Sequence, residues 1–251
     1  MKITIAGYGF VGRGYEQLLS SNRQNYSLAI SDPALQEYSK GISRDTDAVV
    51  ICVATPQQED GACYMENVFS VIEESPKDVP ILIKSTICLE GWRELKNKFP
   101  NSNISFSPEF LRQESWSEDI SNMESILIGG DDFKFWSNVF NNLKCVESEA
   151  EALIITKYAK NNFLALKVSF FNQLYDLCQK LGVNYDEVRE HTTADHRIGD
   201  SHSFITEERG FGGHCFPKDS AALVKTSEKY GSFLSIMDCA RAYNQSIRKR
   251  E

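Results

Sequence analysis

Short apolar runs separated by longer mixed segments set the pattern of the first half of the chain. Ile3-Thr4-Ile5-Ala6 is the first run, and 26–31, 47–53, 79–84, 104–107 and 125–130 follow, each far enough from the last to admit a helix or a loop. Runs of this length rich in Val and Ile predict strands, and the almost wholly apolar 47–53 predicts a central strand of a parallel sheet. Strands alternating with helical stretches predict βαβ units: an α/β, Rossmann-like, doubly wound parallel sheet. Such a sheet binds ligands beyond the carboxyl ends of its strands.

From residue 147 the pattern changes. Ala152, Ile155, Ala159, Phe163, Leu166, Phe170, Leu174 and Leu177 recur at steps of three and four, predicting one long helix with an apolar face that Gly182 ends. Shorter helical stretches begin at Asp186, Ser220 and Phe233. The change of period predicts two domains, a nucleotide-binding unit over 1–146 and a helical unit over 147–251. The long helix has apolar positions on more than one side, so a homodimer formed through it is expected.

Composition narrows the function. A chain of 251 residues with 41% apolar content has ample core for this plan, and it contains no apolar run long enough to cross a bilayer. Met1-Lys2-Ile3-Thr4-Ile5 runs straight into a strand, so no signal peptide is expected. Seven cysteines without CxxC spacing argue against a zinc site and a disulfide framework, so a reducing cytoplasm is expected. His196, His202 and His214 have no metal-ligand spacing, and no metal is expected. A net charge of −8 speaks against nucleic-acid binding; an anionic substrate would have to be met by individual Lys and Arg residues.

Two stretches carry candidate chemistry. Gly7-Tyr8-Gly9-Phe10-Val11-Gly12 is GxGxxG between a strand and a helix, the setting of a dinucleotide fingerprint. There Gly7 permits the tight turn, Gly9 lets a pyrophosphate approach the backbone, and Gly12 packs helix on sheet. Asp32 ends the second run, twenty positions past Gly12, where a carboxylate accepts from a ribose diol and repels a 2′-phosphate; NAD is favoured over NADP. A turn cap before Pro33 is the competing reading of Asp32.

The second stretch is Gly210-Phe211-Gly212-Gly213-His214-Cys215-Phe216-Pro217-Lys218-Asp219. Three glycines clear side chains ahead of one cysteine, and a cation stands close by, as an activated thiolate nucleophile requires. A glycine-rich turn with an incidental cysteine is the competing reading. In the long helix Lys157 and Asn161 are four apart and share a face.

The string GFGGHCFPKD resembles the cysteine signature of the UDP-glucose and GDP-mannose dehydrogenases, NAD-dependent enzymes that oxidise a nucleotide sugar twice, from alcohol to carboxylate. Further segments match that family in order: Val53-Ala54-Thr55-Pro56 is similar to its VPTP, Lys84-Ser85-Thr86 to its KST, and Ser107-Pro108-Glu109-Phe110-Leu111 to its SPEFL. The resemblance implies a helical second domain of the 6-phosphogluconate-dehydrogenase type. It implies that Gly7, Gly9, Phe10, Val11, Gly12, Asp32, Thr55, Thr86, Gln113 and Lys218 approach the cofactor. Thr86 would also lie near the reacting carbon, as a catalytic residue with Glu109; Glu109, Phe110, Leu111 and Gly212 would lie at the sugar, with Arg197 reaching substrate across a dimer interface. Cys215 would be the nucleophile, Lys157 would stabilise oxyanions, Asn161 would hold water or the nucleophile, and Asp219 would position water or shuttle protons.

Two departures stand out. Gln113 occupies the position of a second family glutamate and cannot act as a base. The segment 33–46 is shorter than the family pattern. The resemblance spans the first two domains of the long family members, and their third, nucleotide-gripping domain is not expected in this chain. UDP-glucose is the expected substrate; GDP-mannose, a UDP-N-acetylhexosamine, and a non-catalytic NAD-binding dimer module remain alternatives.

Overall fold

The computed structural model of the protein describes residues 1–22, 26–56, 58, 63–213 and 215–248; His214 of the cysteine loop lies outside them. The chain divides into two compact units, Met1–Lys157 and Tyr158–Glu251, with the division inside the long helix.

The first unit is built on a seven-stranded sheet: β1 (Lys2–Ala6), β2 (Ser27–Ser31), β3 (Ala48–Ile51), β4 (Ile81–Ile83), β5 (Ile104–Phe106), β6 (Ser125–Gly130) and β7 (Lys144–Ser148). The strand order is β2-β1-β3-β4-β5-β6-β7, and neighbours from β2 through β5 are parallel. The chain therefore winds outward from β1 in both directions, as expected. The sheet is nevertheless mixed, because β6 runs antiparallel to β5 through Ser105↔Gly130 and Phe106↔Gly129. The seventh strand, KCVES, is absent from the sequence reading; it lies at the edge of the sheet, is largely polar, and has no apolar run long enough to reveal it.

The short segment 33–46 also has a visible effect. It carries one 3-10 turn, Gln36–Tyr38, in place of a strand and its crossover, so β2 is the edge where the full Rossmann order places a further strand. Helices α1 (Phe10–Ser20), α2 (Glu66–Glu74), α3 (Leu89–Lys98), α4 (Trp116–Ser121) and α5 (Phe133–Val139) flank the sheet. Tyr15, Leu18 and Leu19 of α1 pack on Ile3, Ile5 and Val50 together with Ile120, Trp136 and Phe140. Trp136 stacks on Phe140 at 6.1 Å between centroids, and Tyr15 meets Phe140 edge-on. Burial of each such side chain contributes about 1.5–3 kcal/mol, which fixes the start of α1 over the end of β1.

The long helix α6 (Ala150–Leu181) leads into the second unit, with α7 (Tyr185–Thr193), α8 (Phe216–Lys229) and α9 (Ser235–Ile247). Gly182, at φ +67°, ends α6 as expected, and Val183 N–H returns to the Cys178 carbonyl. The apolar face read from the sequence is the outward one, however: Phe163, Phe170 and Leu177 are 67%, 57% and 50% exposed. Inside the unit α6 turns Tyr158, Ala165, Phe171 and Cys178 inward, with Asn161, Asn162, Ser169 and Asn172 among them. Hydrophobic period alone cannot report a buried face that is half amides and hydroxyls.

Candidate active site

In the first unit the loops after the parallel strands carry the expected residues. Gly7 has φ +91°, and a Cβ there would lie 2.7 Å from the Cys52 carbonyl; a Cβ on Gly12 would lie 2.1 Å from the Gly7 oxygen. Both glycines are required by close backbone approach. Gly9 differs: it is exposed, and a Cβ there would meet nothing within 4 Å among the described residues. Gly9 is also the N-cap of α1, and no side chain caps the helix. The N–H groups of the turn opened by Phe10, Val11 and Gly12 are thus left for an anion.

Asp32 stands at the end of β2, oriented by two backbone donors, Tyr8 N at 2.7 Å and Ala34 N at 2.9 Å. Its oxygens keep lone pairs for a diol. The cap reading and the ribose reading are therefore compatible. Thr55 Oγ1 donates to the Thr86 carbonyl at 2.6 Å, tying the loops after β3 and β4 together. An open glycine over an uncapped helix start, with a fixed carboxylate at the next strand end, fits the pyrophosphate and ribose of NAD. Gln113 is exposed.

Beyond β5 the structure assembles a buried charged group. Glu109 is 6% exposed; its Oε1 accepts from Phe110 N at 2.6 Å and Leu111 N at 2.8 Å. Lys157, at the end of this unit on α6, donates to the Glu109 carbonyl and lies 5.2 Å from the Phe110 ring centroid. Lys84 completes the group, 3.6 Å from Glu109 Oε2. Burial pulls the Lys84 ammonium down to about 8, with the Glu109 charge working in the opposite direction. Burial likewise pushes the Cys52 thiol and the Tyr15 phenol up. The sequence reading treats Lys84 only as part of a matching segment; its burial is what singles it out.

In the second unit the cysteine loop leads into α8. Cys215 is exposed and sits at the N-cap of α8, the positive end of the helix macrodipole, with Pro217 in the first turn. One turn in, Asp219 is 1% exposed and accepts from Asn161 Nδ2 at 2.6 Å. Lys218 Nζ lies 3.3 Å from the same carboxylate, and Asn162 Nδ2 donates to the Asp219 carbonyl at 3.2 Å. Asn161, Lys218 and Asp219 are thus brought together at the start of the helix that Cys215 caps.

The sequence reads all three loop glycines as clearing space before the sulfur. Only Gly213 stands open in this way, among the described residues. A Cβ on Gly210 would lie 2.2 Å from Asn244 Oδ1, and one on Gly212 would lie 2.1 Å from the Arg248 guanidinium. These two glycines admit side chains from the end of α9. The Asn244 carboxamide accepts from Phe211 N at 2.6 Å and donates to Phe211 O at 2.9 Å, and Asn172 Oδ1 accepts from Gly210 N at 3.2 Å. Sequence reasoning missed both asparagines as supports of the loop, because helical period does not reveal that a polar position is buried. Arg197 lies apart from this group, exposed, with its guanidinium on the Asp195 carboxylate.

The comparisons with known proteins agree on the family. Residues 13–143 match the NAD binding domain of the UDP-glucose/GDP-mannose dehydrogenase family, and residues 149–246 match its central domain. The UDP-glucose 6-dehydrogenase of Rickettsia felis is 30% identical over 92% of this chain and 61% of its own length. The Rickettsia typhi protein of the same name is 34% identical over 92% of this chain and 63% of its own. The chain spans about three-fifths of the length of these curated relatives. The fold matches a UDP-glucose dehydrogenase from Pyrobaculum islandicum with a TM-score of 0.83 at 24% identity, over 98% of this chain and 68% of that one. With both domain matches, the identities and the glycine loop in agreement, this chain belongs to the UDP-glucose/GDP-mannose dehydrogenase family.

Proposed function

We propose that the protein oxidises the C6 alcohol of a nucleotide sugar to the carboxylate in two NAD-dependent steps, with UDP-glucose as substrate and Cys215 as covalent nucleophile. The observation that carries this reading is the exposed Cys215 at the head of α8 with the buried Asp219–Asn161 pair one turn behind it. The 30–34% identity to UDP-glucose 6-dehydrogenases supports the choice of sugar.

NAD supplies the hydride acceptor for both oxidations, one equivalent for each. Gly7, Gly9 and Gly12 seat its pyrophosphate, Asp32 its ribose diol, and Thr55 and Thr86 line its approach. The first oxidation leaves an aldehyde at C6. Cys215 Sγ forms a bond to that carbon as the carbonyl π pair moves to oxygen, giving a thiohemiacetal that does not escape. The second oxidation removes hydride from the same carbon and a proton from the hydroxyl, leaving a thioester. Water adds, the C–S bond breaks, and the carboxylate and the Cys215 thiol are released.

Each tetrahedral oxyanion needs a fixed donor, an interaction worth roughly 3–4 kcal/mol in comparable sites. Lys157 is the donor in this account. Asp219, held by Asn161 Nδ2, orients water and takes the proton. Glu109 and the Phe110-Leu111 backbone meet the sugar. Gln113 has no basic function here, so water activation rests on Asp219.

The outward stripe Phe163, Phe170 and Leu177 supports a homodimer through α6, since a second copy would cover it. Phe170 and Ile236 also line one groove of about 440 Å³ between α6 and α9, so the apolar surface extends beyond a single helix. Seven free thiols are at home in a reducing cytoplasm.

The test is the amount of NADH formed per sugar from a panel of UDP-glucose, GDP-mannose and UDP-N-acetylhexosamines. Two equivalents with UDP-glucose are expected. One equivalent with aldehyde released removes Cys215 from the mechanism, and two equivalents with another sugar alone reassign the substrate.

A further inference from the structure

Lys84 has no part in the mechanism above, yet it is the most enclosed cation near the strand ends, with its side chain 1% exposed. A buried ammonium is among the costliest groups a fold can hold, and a buried pair often adds less stability than an apolar replacement would. Packing alone gives a poor account of it. Its Nζ donates to Ser107 Oγ at 2.8 Å and to the Pro108 carbonyl at 3.1 Å, stands 3.6 Å from Glu109 Oε2, and lies 4.6 Å from the Tyr15 ring centroid. Three of these four contacts belong to consecutive residues, 107 to 109. Lys84 therefore grips the turn that presents Glu109.

Glu109 itself is half occupied. Oε1 is taken by the amides of Phe110 and Leu111, while Oε2 is buried without a hydrogen bond of normal geometry among the described residues. The Tyr15 phenol and the Lys84 ammonium also face the Glu109 carboxylate, and since buried acceptors are nearly always matched, Oε2 has capacity left for an incoming donor.

We propose that Lys84 is a positioning residue: it sets the 107–109 turn and holds a fixed positive charge beside Glu109, so that Oε2 is placed to accept a hydrogen bond from a sugar hydroxyl or from water. This rests on the reading that Glu109 lies at the sugar. The other titratable groups facing the pair are Tyr15 from α1, Cys52 after β3 and Lys157 from α6. Burial raises Tyr15 and Cys52, so both stay neutral in the working range, and Lys157 adds positive charge. The Lys84 charge is lost as pH rises through about 8, where burial has brought it.

The experiment compares wild type, Lys84→Met, Glu109→Gln and the double variant by NAD affinity, thermal midpoint and the pH profile of kcat/KM. For Lys84→Met the turnover is expected to fall at least about tenfold through a displaced Glu109, with NAD affinity within about threefold of wild type. The wild-type basic limb near pH 8, where the Lys84 charge is lost, should disappear. The double variant should recover the thermal stability that Lys84→Met loses, but not the turnover. Wild-type turnover in Lys84→Met, or a lower rate with an unmoved pH profile, overturns the proposal. If wild type oxidises no nucleotide sugar, the functional reading has failed, and the midpoints still decide the pairing. Non-additive midpoints support it; additive ones overturn it.

Discussion

Replacing Gly9 by alanine should separate folding from cofactor binding. Gly9 has φ −72° and ψ −165°, a conformation alanine adopts without strain, and its added methyl would have no neighbour within 4 Å among the described residues. The folded state thus bears no clash, and the unfolded chain loses conformational freedom, so stability should hold or rise by about 0.4–1 kcal/mol. The same methyl stands over the uncapped start of α1, in the space a pyrophosphate needs. Loss of one hydrogen bond to a charged group costs about 1.5–3 kcal/mol, which corresponds to roughly ten- to hundredfold weaker NAD binding. Gly12→Ala is the control with the opposite signature. Its methyl would lie 2.1 Å from the Gly7 oxygen, a backbone atom that cannot swing aside, so that variant should lose stability before binding is even asked of it. Thermal melts with and without NAD, together with calorimetric titration, read both quantities. A Gly9→Ala protein that melts normally and binds NAD as tightly as wild type would refute the assignment of this loop to the pyrophosphate.

Two other perturbations test the second unit. Asn244→Ala strands the buried N–H and C=O of Phe211, and at about 1–3 kcal/mol for each unsatisfied group the urea midpoint should drop by an amount equivalent to about 2–6 kcal/mol; an unchanged midpoint would mean that the loop does not depend on α9. Phe170→Glu places a charge on the outward stripe of α6, and light scattering should then report monomers where wild type gives dimers; monomeric wild type would discard the α6 interface.

The parts of this molecule that the sequence displays are those written in apolar runs and glycines. Ile3 to Ala6 followed by GxGxxG announces a strand, a phosphate turn and a helix, because each glycine there answers a separate steric demand. The 33–46 segment is short in sequence, and the missing edge strand follows from it. Polar burial is a different matter. Lys84, Asn172 and Asn244 look like ordinary surface residues in a chain with 25% charged positions, and only their partners in space show that each holds a loop. The α6 stripe misleads in the opposite sense. Phe163, Phe170 and Leu177 keep helical period, yet they face out, since period reports which residues share a face and not what covers that face. Gly210 and Gly212 are legible as obligatory small residues, but their reason lies on α9, more than thirty residues away in sequence.

The central claim is that Cys215 forms a bond to the oxidised carbon. Its most direct measurement is the mass of the Cys215 peptide from protein quenched in acid during turnover with NAD and UDP-glucose. The account predicts a fraction of that peptide carrying the sugar nucleotide as a thioester, discharged by hydroxylamine and missing from Cys215→Ala, which should still bind NAD. Carboxylate produced at the full rate by Cys215→Ala, with no adduct on the wild-type peptide at any time point, would contradict it.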